Sequence, residues 1–513
     1  MLTEAEISRL INDDALSDKK RQAAVGQRYY EAEHDILQYR IFYYNTDGIL
    51  VEDKARSNSR ICHPFFTEHV DQLTAYILSG EENPIQARAT AEGLQDHLDV
   101  YFDDEFWYEM GEVISGTTAK GFDYLYGYKN HEDRLAFQHA DSMGVVEVRA
   151  QETDDHCEYI IYWYVERIGK NKKLIKRIQI HDKDQIWFYI QEDDGKILLD
   201  HNQLINPRPN IVWTDPKTGA MYGASLGFIP FWRLDYNTKQ FSGLKPIKGL
   251  IDDYDMMECG LSNNLQDFDT PIHLVKGFDG DDLSELQQNI KTKKIIGVGD
   301  ASGGLEVLTV DVPYQARKTK ADEDEKNIYR FGMAFNSSQA GDGNITNVVI
   351  RSRYTLLDLK ASKLEKRIKR FLKPIIQAVL DEINTKNGTD YQYSDVEINF
   401  EHSVPTNEQE NVQNALTEAQ TEQTRLNSIL NVATVIGDEE TLKAICDILD
   451  LDFEDLKDLI EPAPEEDLYG AMGALDAVET EDAVDTDGGI DDGEAETQSK
   501  VIDMLESLLA EVE

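Results

Sequence analysis

The chain has 513 residues, 41% of them apolar, and 98 acidic against 51 basic residues give it a formal net charge of -47. That length exceeds what one core supports and points to two to four packing units. No stretch approaches 18 uninterrupted apolar residues, so no membrane span is expected, and a protein built to grip DNA phosphates tightly would be basic instead. The N-terminal MLTEAEISRLINDD lacks both a cationic and an apolar region, so no signal peptide is expected. Cys62, Cys157, Cys259 and Cys446 are far apart with no CxxC pair, and read as free thiols with no structural zinc.

Residues 1–30 read as one amphipathic helix running into YYEAEHDI, Tyr29–Ile36. From Asn58 the chain enters a helix with Phe66, Val70, Leu73 and Ile77 on its apolar face, and Gly80 stands where a C-cap glycine is expected. Residues 94–120 continue helically. Gly121 opens a β-rich section with strands at GVVEVRA, YIIYWYVERI, KKLIKRIQI and DQIWFYIQ, separated by turn clusters such as Glu192–Gly195 and Asn206–Pro209. Residues 1–235 thus read as an α+β unit, helices followed by a strand meander.

A helix is predicted from about Gly243 to Phe268, with Pro246 in its first turn and an apolar stripe of Ile247, Ile251, Tyr254, Met257, Leu261 and Leu265. Residues 270–313 read as three short strands (271–276, 293–298 and 305–310) around a helix at 281–291. A second helix, Tyr314–Phe335, carries Ile328, Phe331 and Phe335 as its apolar marks. The pattern is two rods bearing a small α/β knob. Asn336–Thr346 is a glycine-rich polar loop.

The longest periodic stretch follows, Asn347–Ile383. Leu357, Ala361, Leu364, Ile368, Phe371, Ile375, Val379 and Ile383 fall in steps of three and four on one face of a helix about 50 Å long. Lys360, Lys363, Lys366, Arg367, Lys369, Arg370 and Lys373 are assigned to its other faces, and Pro374 is expected to kink the helix without ending it. Asp395–Val404 alternates like a strand, and 406–460 reads as short helices. From Glu461 the composition collapses to Glu, Asp, Gly and Ala, which predicts a disordered acidic tail.

Motifs with chemistry are absent or misplaced. Gly223-Ala-Ser225-Leu-Gly227 matches the nucleophile elbow of hydrolases, but a turn precedes the serine and an extended FIPFWR follows it. Gly297-Val-Gly299 reads as a hairpin, not a dinucleotide loop. Residues 485–496 imitate a calcium loop, with Ile490 where glycine is obligatory. His63 and His69 read as structural. No phosphate-binding P-loop occurs, and no catalytic, metal or cofactor site is expected.

The strings YYEAEHDI, NSRICHPFFTEHVDQLTAYILSG, NPRPN, GFIPFWRLDYN, LKPIKGLIDDYDMMECGLSNNLQDF and RYTLLDLKASKLEKRI, in that order across roughly residues 25–460, resemble portal proteins of tailed bacteriophages. The likeness is to the type found in long-tailed phages of Gram-positive hosts. It implies an α+β portal architecture and a ring, normally of twelve copies, around a DNA tunnel at one capsid vertex. The wing would be 1–235 and the stem helices would be 236–268 and 314–335. The clip would be 269–313, the tunnel loop 336–350, a long wing-to-crown helix with a wing strand 351–404, and the crown 405–460, before the tail at 461–513. The partners implied are other copies of the chain, double-stranded DNA, the large terminase subunit, a head-completion or adaptor protein, and the major capsid and scaffolding proteins. The implied location is the virion, after assembly in the host cytoplasm. In one departure, Asn344-Ile-Thr-Asn-Val-Val349 is bulkier than the loop-to-helix junction of the family.

Under that resemblance, Ser337, Ser338, Gln339, Asp342 and Asn344 would offer DNA weak, sequence-blind hydrogen bonds. Lys318, Lys320, Lys326 and Arg330 would form positive rings along the tunnel, or else pair with Asp322, Glu323 and Glu325 on their own helix. Ile247, Ile251, Tyr254, Leu261, Ile328 and Phe331 would be buried against neighbouring copies, or else against their own core. Phe278, Asp281, Leu283, Leu286 and Ile290 would dock the packaging motor. Lys363, Lys366, Lys369, Arg370 and Lys373 would meet DNA or a neighbour's carboxylates. The competing readings are a DNA-binding module built on the basic helix 351–373, and a serine hydrolase at Ser225.

Overall fold

The computed structural model describes residues 2–54, 56–91, 93–151, 157–168, 173–191, 195–214, 221–268, 272–276, 304–308, 314–336, 347–402, 416–417, 420–421, 423–429, 431 and 438–449. The chain divides into two compact units, 1–412 and 413–513.

The first unit opens with α1 (Glu4–Ala15) and α2 (Asp18–Tyr30) where the apolar pattern suggests one helix. Ser17 makes the break: its backbone is extended and its hydroxyl accepts the Lys20 N–H, so it starts a new helix instead of continuing the old one. A hairpin follows, β1 (Phe42–Tyr44) and β2 (Leu50–Glu52), then α3 (Phe65–Ile77), β3 (Ile85–Ala87), α4 (Leu94–Tyr101) and α5 (Asp104–Lys120). Asp103 splits the expected 94–120 helix in the same way, accepting the Phe106 N–H at 3.0 Å. Gly80 is not the cap of α3, which ends at Leu78; a Cβ there would sit 3.0 Å from the Glu401 carbonyl, so close approach is what requires glycine. Gly121, at φ +97°, caps α5 in the left-handed region.

The strands then run β4 (Phe122–Lys129), β5 (Leu135–Ala140), β6 (Val145–Val148), β7 (Tyr159–Ile168), β8 (Lys173–His181), β9 (Gln185–Gln191), β10 (Ile197–Leu199), β11 (Arg208–Pro209), β12 (Ile211–Thr214), β13 (Met221–Ala224) and β14 (Phe231–Asp235). The main sheet has the antiparallel order β10-β9-β8-β7-β6, with β11 on β9, and a second sheet has the order β14-β4-β5. Alternate residues of the main sheet, Ile161, Ile178, Ile180, Trp187 and Tyr189, bury one face beneath Ile7 and Ile11 of α1.

Next come α6 (Lys248–Phe268), the paired strands β15 (Ile272–Lys276) and β16 (Gly304–Leu308), α7 (Tyr314–Gly332), and α8 (Asn347–Asn387). Of the knob expected at 270–313, the strand at 293–298 and the helix at 281–291 lie outside the described residues. The strand expected at 395–404 is only β17 (Val396–Ile398), paired with β3. In the second unit, α9 (Asp438–Leu449) forms over TLKAICDIL.

At 41 residues, α8 is about 60 Å long and continues through Pro374. All eight residues of its predicted stripe are at most 6% exposed, and Leu372, Ile376 and Leu380 join them. This face packs on Leu73 and Ile77 of α3, Leu98 of α4, Val113 of α5, Leu125, Leu135 and Val396. Elements from 73 to 400 therefore share one core. Ile368→Ala, in the middle of that face, is expected to lower the unfolding free energy by about 2–5 kcal/mol in urea or thermal denaturation. The exposed change Asp381→Ala should stay within about 0.5 kcal/mol.

Candidate functional site

The pairs Ile251/Ile328, Asp253/Lys320 and Gly260/Arg317 run in opposite senses, so α6 and α7 form an antiparallel hairpin. The first helix begins at Lys248, later than expected. Ser242 organises the turn containing Pro246 by donating to the Ala119 carbonyl at 2.5 Å and accepting the Leu244 N–H at 3.0 Å.

Burial along the hairpin differs from the stripe read in the sequence. Ile247, Ile251 and Ile328 are fully buried within one chain, against Tyr29, Phe66, Val70 and Ala119, and need no neighbour to leave water. Tyr254 is half-buried, edge-on to Phe65 at 4.9 Å. Leu261 is half-exposed, while Leu265 and Phe331 are exposed. The apolar side chains of the rods that keep some exposure are thus Tyr254, Leu261, Leu265 and Phe331.

Beyond Ile251, the buried face of α6 continues through Asp255 and Cys259, one helical turn apart. The segment Ser57–His63 lies along this face. Its alternate backbone N–H groups donate to successive turns: Ser57 to Asp267 Oδ1 at 3.1 Å, Ser59 to Asn263 Oδ1 at 2.6 Å, Ile61 to Cys259 Sγ at 3.2 Å and His63 to Asp255 Oδ1 at 2.9 Å. The Asp255 carboxylate also meets His34 Nδ1 at 2.6 Å and His63 Nδ1 at 2.8 Å. Burial opposes its ionisation, but the hydrogen bonds from His34 and His63 outweigh that and hold the carboxyl below its usual range. Asp255 and Cys259 fall four and eight residues after Ile251, and this continuation of an apolar stripe into polar residues was the signal available to find them.

The end of α7 is held by α8. Lys360, assigned from sequence to a solvent face, is buried, and its ammonium donates to the Gly332 carbonyl at 2.8 Å. Burial pushes that amine down to about 8. His69 lies beside it, and a Cβ on Gly332 would come within 2.3 Å of the imidazole. Burial, and secondarily the Lys360 charge, push His69 down to about 3, and neither ring nitrogen has a partner among the described residues. After the helix, Phe335 exchanges backbone hydrogen bonds with the Gln72 side chain at 2.9 and 3.1 Å and stacks on Tyr354.

Lys320 is not a free cation: it bridges to Asp253 on α6 at 2.6 Å and to Asp324. Lys318, Lys326 and Arg330 are exposed and make no ion pair among the described residues. On α8, Lys363, Lys366, Arg367 and Arg370 line a cleft against Trp232, Arg233 and Thr238. The carboxylate in that lining, Asp235, is engaged by Arg233 at 2.9 Å, so the four α8 cations have no ion-pair partner among the described residues.

Ser225 is exposed, donates to Lys183 O at 2.9 Å and Asp184 Oδ1 at 2.7 Å, and accepts the Gly227 N–H. This is turn chemistry with no imidazole among its partners in the described residues, unlike a nucleophile elbow. All four cysteines are free, and among the described residues no cluster of His, Cys, Asp and Glu could hold a metal. No described helix is long and apolar enough to cross a membrane. The DNA-facing candidates Ser337, Ser338, Gln339, Asp342 and Asn344 lie outside the described residues, as do the docking candidates Phe278, Asp281, Leu283, Leu286 and Ile290.

Comparison with known proteins matches residues 11–461 to the family described as "Phage portal protein, SPP1 Gp6-like". The portal protein of Bacillus phage SPP1 is 25% identical over 350 residues, covering 68% of this chain and 67% of that protein. The portal protein of Clostridium phage phiCD119 is 22% identical over 410 residues, covering 73% and 82%.

Lys360 carries a pH dependence. Its amine is held near 8 when folded, against about 10.5 when unfolded, so between those values the unfolded chain binds more protons and stability rises with pH. Below that window the cost of burying the charge is fully present. The unfolding free energy of the parent relative to Lys360→Met is therefore expected to rise by about 3 kcal/mol from roughly pH 7.5 to 10.5. Denaturation curves that keep a constant difference across that range would place the amine in water.

Proposed function

The chain belongs to the SPP1 Gp6-like family of phage portal proteins, and on that premise we propose that it assembles into a ring, normally of twelve copies, at the unique vertex of the capsid. DNA enters through the ring's channel during packaging and leaves through it at ejection. A phage portal protein is a structural component of the virion, and this reading gives the chain no catalytic step of its own.

The observation that carries the reading is the way burial fades along the two rods. Ile251 and Ile328 are sealed in the chain's own core, whereas Leu265 near the far end of α6 and Tyr314 at the start of α7 are more than half exposed. A hairpin whose apolar side chains are sealed at one end and reach water at the other, with one side of α6 strapped by Ser57–His63, suits a stem whose remaining distal surface packs on neighbouring copies. Residues 1–235 then form the wing, 236–268 and 314–335 the stem, and 269–313 the clip. The tunnel loop is 336–350, 351–404 supplies the long helix and a wing strand, and 405–460 forms the crown.

Phe278, Asp281, Leu283, Leu286 and Ile290 of the clip dock the large terminase subunit and later a head-completion protein. Ser337, Ser338, Gln339, Asp342 and Asn344 face the DNA. Capsid and scaffolding proteins surround the wing during assembly in the host cytoplasm. The unpaired Lys363, Lys366, Arg367 and Arg370 meet carboxylates of an adjacent copy, since a chain of net charge -47 offers these in excess. The other reading, a DNA-binding module, has those same cations gripping phosphates.

Mass measurement with electron microscopy of the purified protein is expected to give rings of twelve or thirteen copies; a monomer at every concentration and salt would end the proposal. Shortening Ser337–Gly343 should block packaging yet leave rings intact. Replacing Lys363, Lys366 and Arg370 by Gln should make rings dissociate at lower salt. If instead the variant changes only the log–log salt slope of DNA binding, by about 0.9 for each phosphate that is no longer neutralised, the DNA-binding reading is favoured.

A further inference from the structure

Among the described residues nothing covers the hairpin β1–β2. Its register pairs Phe42 with Glu52, Tyr43 with Val51 and Tyr44 with Leu50. Successive residues of a strand point to opposite faces, so a sheet resting on a core hides every second side chain. Here both faces are bare: Phe42, Tyr43, Tyr44, Ile49 and Leu50 are each at least half exposed and Val51 is 38% exposed. The turn is well formed, with Asn45 Oδ1 accepting the Asp47 and Ile49 N–H groups at 3.0 and 2.9 Å and Gly48 at φ +73°. Among the described residues the sheet has two strands only, so each has an open edge. Hydrogen-bonded pairs alternate along an antiparallel ladder, and Asp53 donates to Ile41 while Asn45 donates to Ile49. The N–H groups of Phe42, Tyr44, Leu50 and Glu52 accordingly face outward.

An isolated two-stranded sheet is marginal in water, and an apolar edge with no lysine, proline or bulge invites another strand. Single exposed apolar residues elsewhere, such as Leu16 and Leu204, need no explanation. A contiguous run does. Over its two faces the hairpin presents about 650 Å² of apolar side-chain surface, taking roughly 200 Å² for a fully exposed large residue. That is about what each partner contributes to a stable protein–protein interface.

We infer that the β1–β2 hairpin is a self-association surface, docking on a second copy of this chain. Charge favours that occupant. Two copies at -47 each repel overall, so a patch of little charge is a favourable place for them to meet, and residues 42–52 carry only Asp47 in the turn and Glu52, which Arg40 meets at 3.5 Å. In a ring the contact is head-to-tail, each hairpin covering a different face of the next copy. The inference rests on the ring reading and assigns a surface within it.

The test uses the full-length protein and a Tyr44→Lys/Leu50→Glu double variant, whose opposite charges keep the cross-strand pair favourable. The variant is expected to melt like the parent and to need at least tenfold higher concentration to assemble. In the assembled parent, hydrogen exchange across 41–52 is expected to slow at least tenfold relative to dissociated protein. Parent rings in which this segment exchanges as fast as in the monomer, or a variant that assembles as well as the parent, would overturn the hairpin's role and leave the ring reading standing. A parent that never assembles would overturn both. If the variant melts early, the exchange measurement on the parent decides alone.

Discussion

Two backbones of different pitch lie in register along α6. An extended chain advances about 6.7 Å for every two residues, and an α-helix about 6.0 Å for every four. Those lengths are close enough that the alternate N–H groups of Ser57, Ser59, Ile61 and His63 can each find a side chain one helical turn from the last, at Asp267, Asn263, Cys259 and Asp255. The strap leads directly through Pro64 into α3, so this match sets where α6 stands relative to the core that α3 and α8 share. Asp255 makes the arrangement specific. A buried carboxylate without donors would cost several kcal/mol, and here His34 and His63 close around it from two other segments.

The second rod is fastened by a different device. α7 stops at Gly332, where the last carbonyls of any helix lack intrahelical donors, and Lys360 reaches across from α8 to satisfy one of them. A cation at a helix C-terminus is favourable in principle, yet burying the amine depresses its pKa. His69, sealed beside it with no hydrogen-bond partner among the described residues, compounds the cost. An apolar residue at 360 would leave the Gly332 carbonyl bare. The charge therefore ties the end of α7 to α8 shortly before residues 337–346. Lys360 fixes the end of α7 beside the core, and the strap fastens α6 along its length from Asp255 to Asp267.

The positive charges divide by environment, not by sequence neighbourhood. Lys20 and Lys120 are buried among carbonyls and carboxylates of the sheet region, at Val145 O and Asp14 for the first and at Asp123 and Asp141 for the second. Lys320 crosses between the rods. On α8, by contrast, Lys363, Lys366, Arg367 and Arg370 gather along one cleft in a chain rich in acids that nonetheless leaves them unpaired among the described residues.

What the sequence determined by itself was whatever depends on periodicity and local chemistry. The eight-residue stripe of α8, the four strands of the main sheet, the rods flanking 269–313 and the ordered strings shared with phage portal proteins were all legible there, because side-chain direction follows from spacing alone. Tertiary structure decided the matters that turn on which residue meets which. Ser17 and Asp103 became helix starts because their side chains accepted backbone N–H groups, a choice open to any serine or aspartate. Asp255 and Cys259 proved to be buried, and Lys360 was drawn into the core, since each found a partner 28 or more residues away that no local pattern encodes. Ile247, Ile251 and Ile328 went to their own core for the same reason: an apolar stripe states that a face will be covered, and only packing states by what.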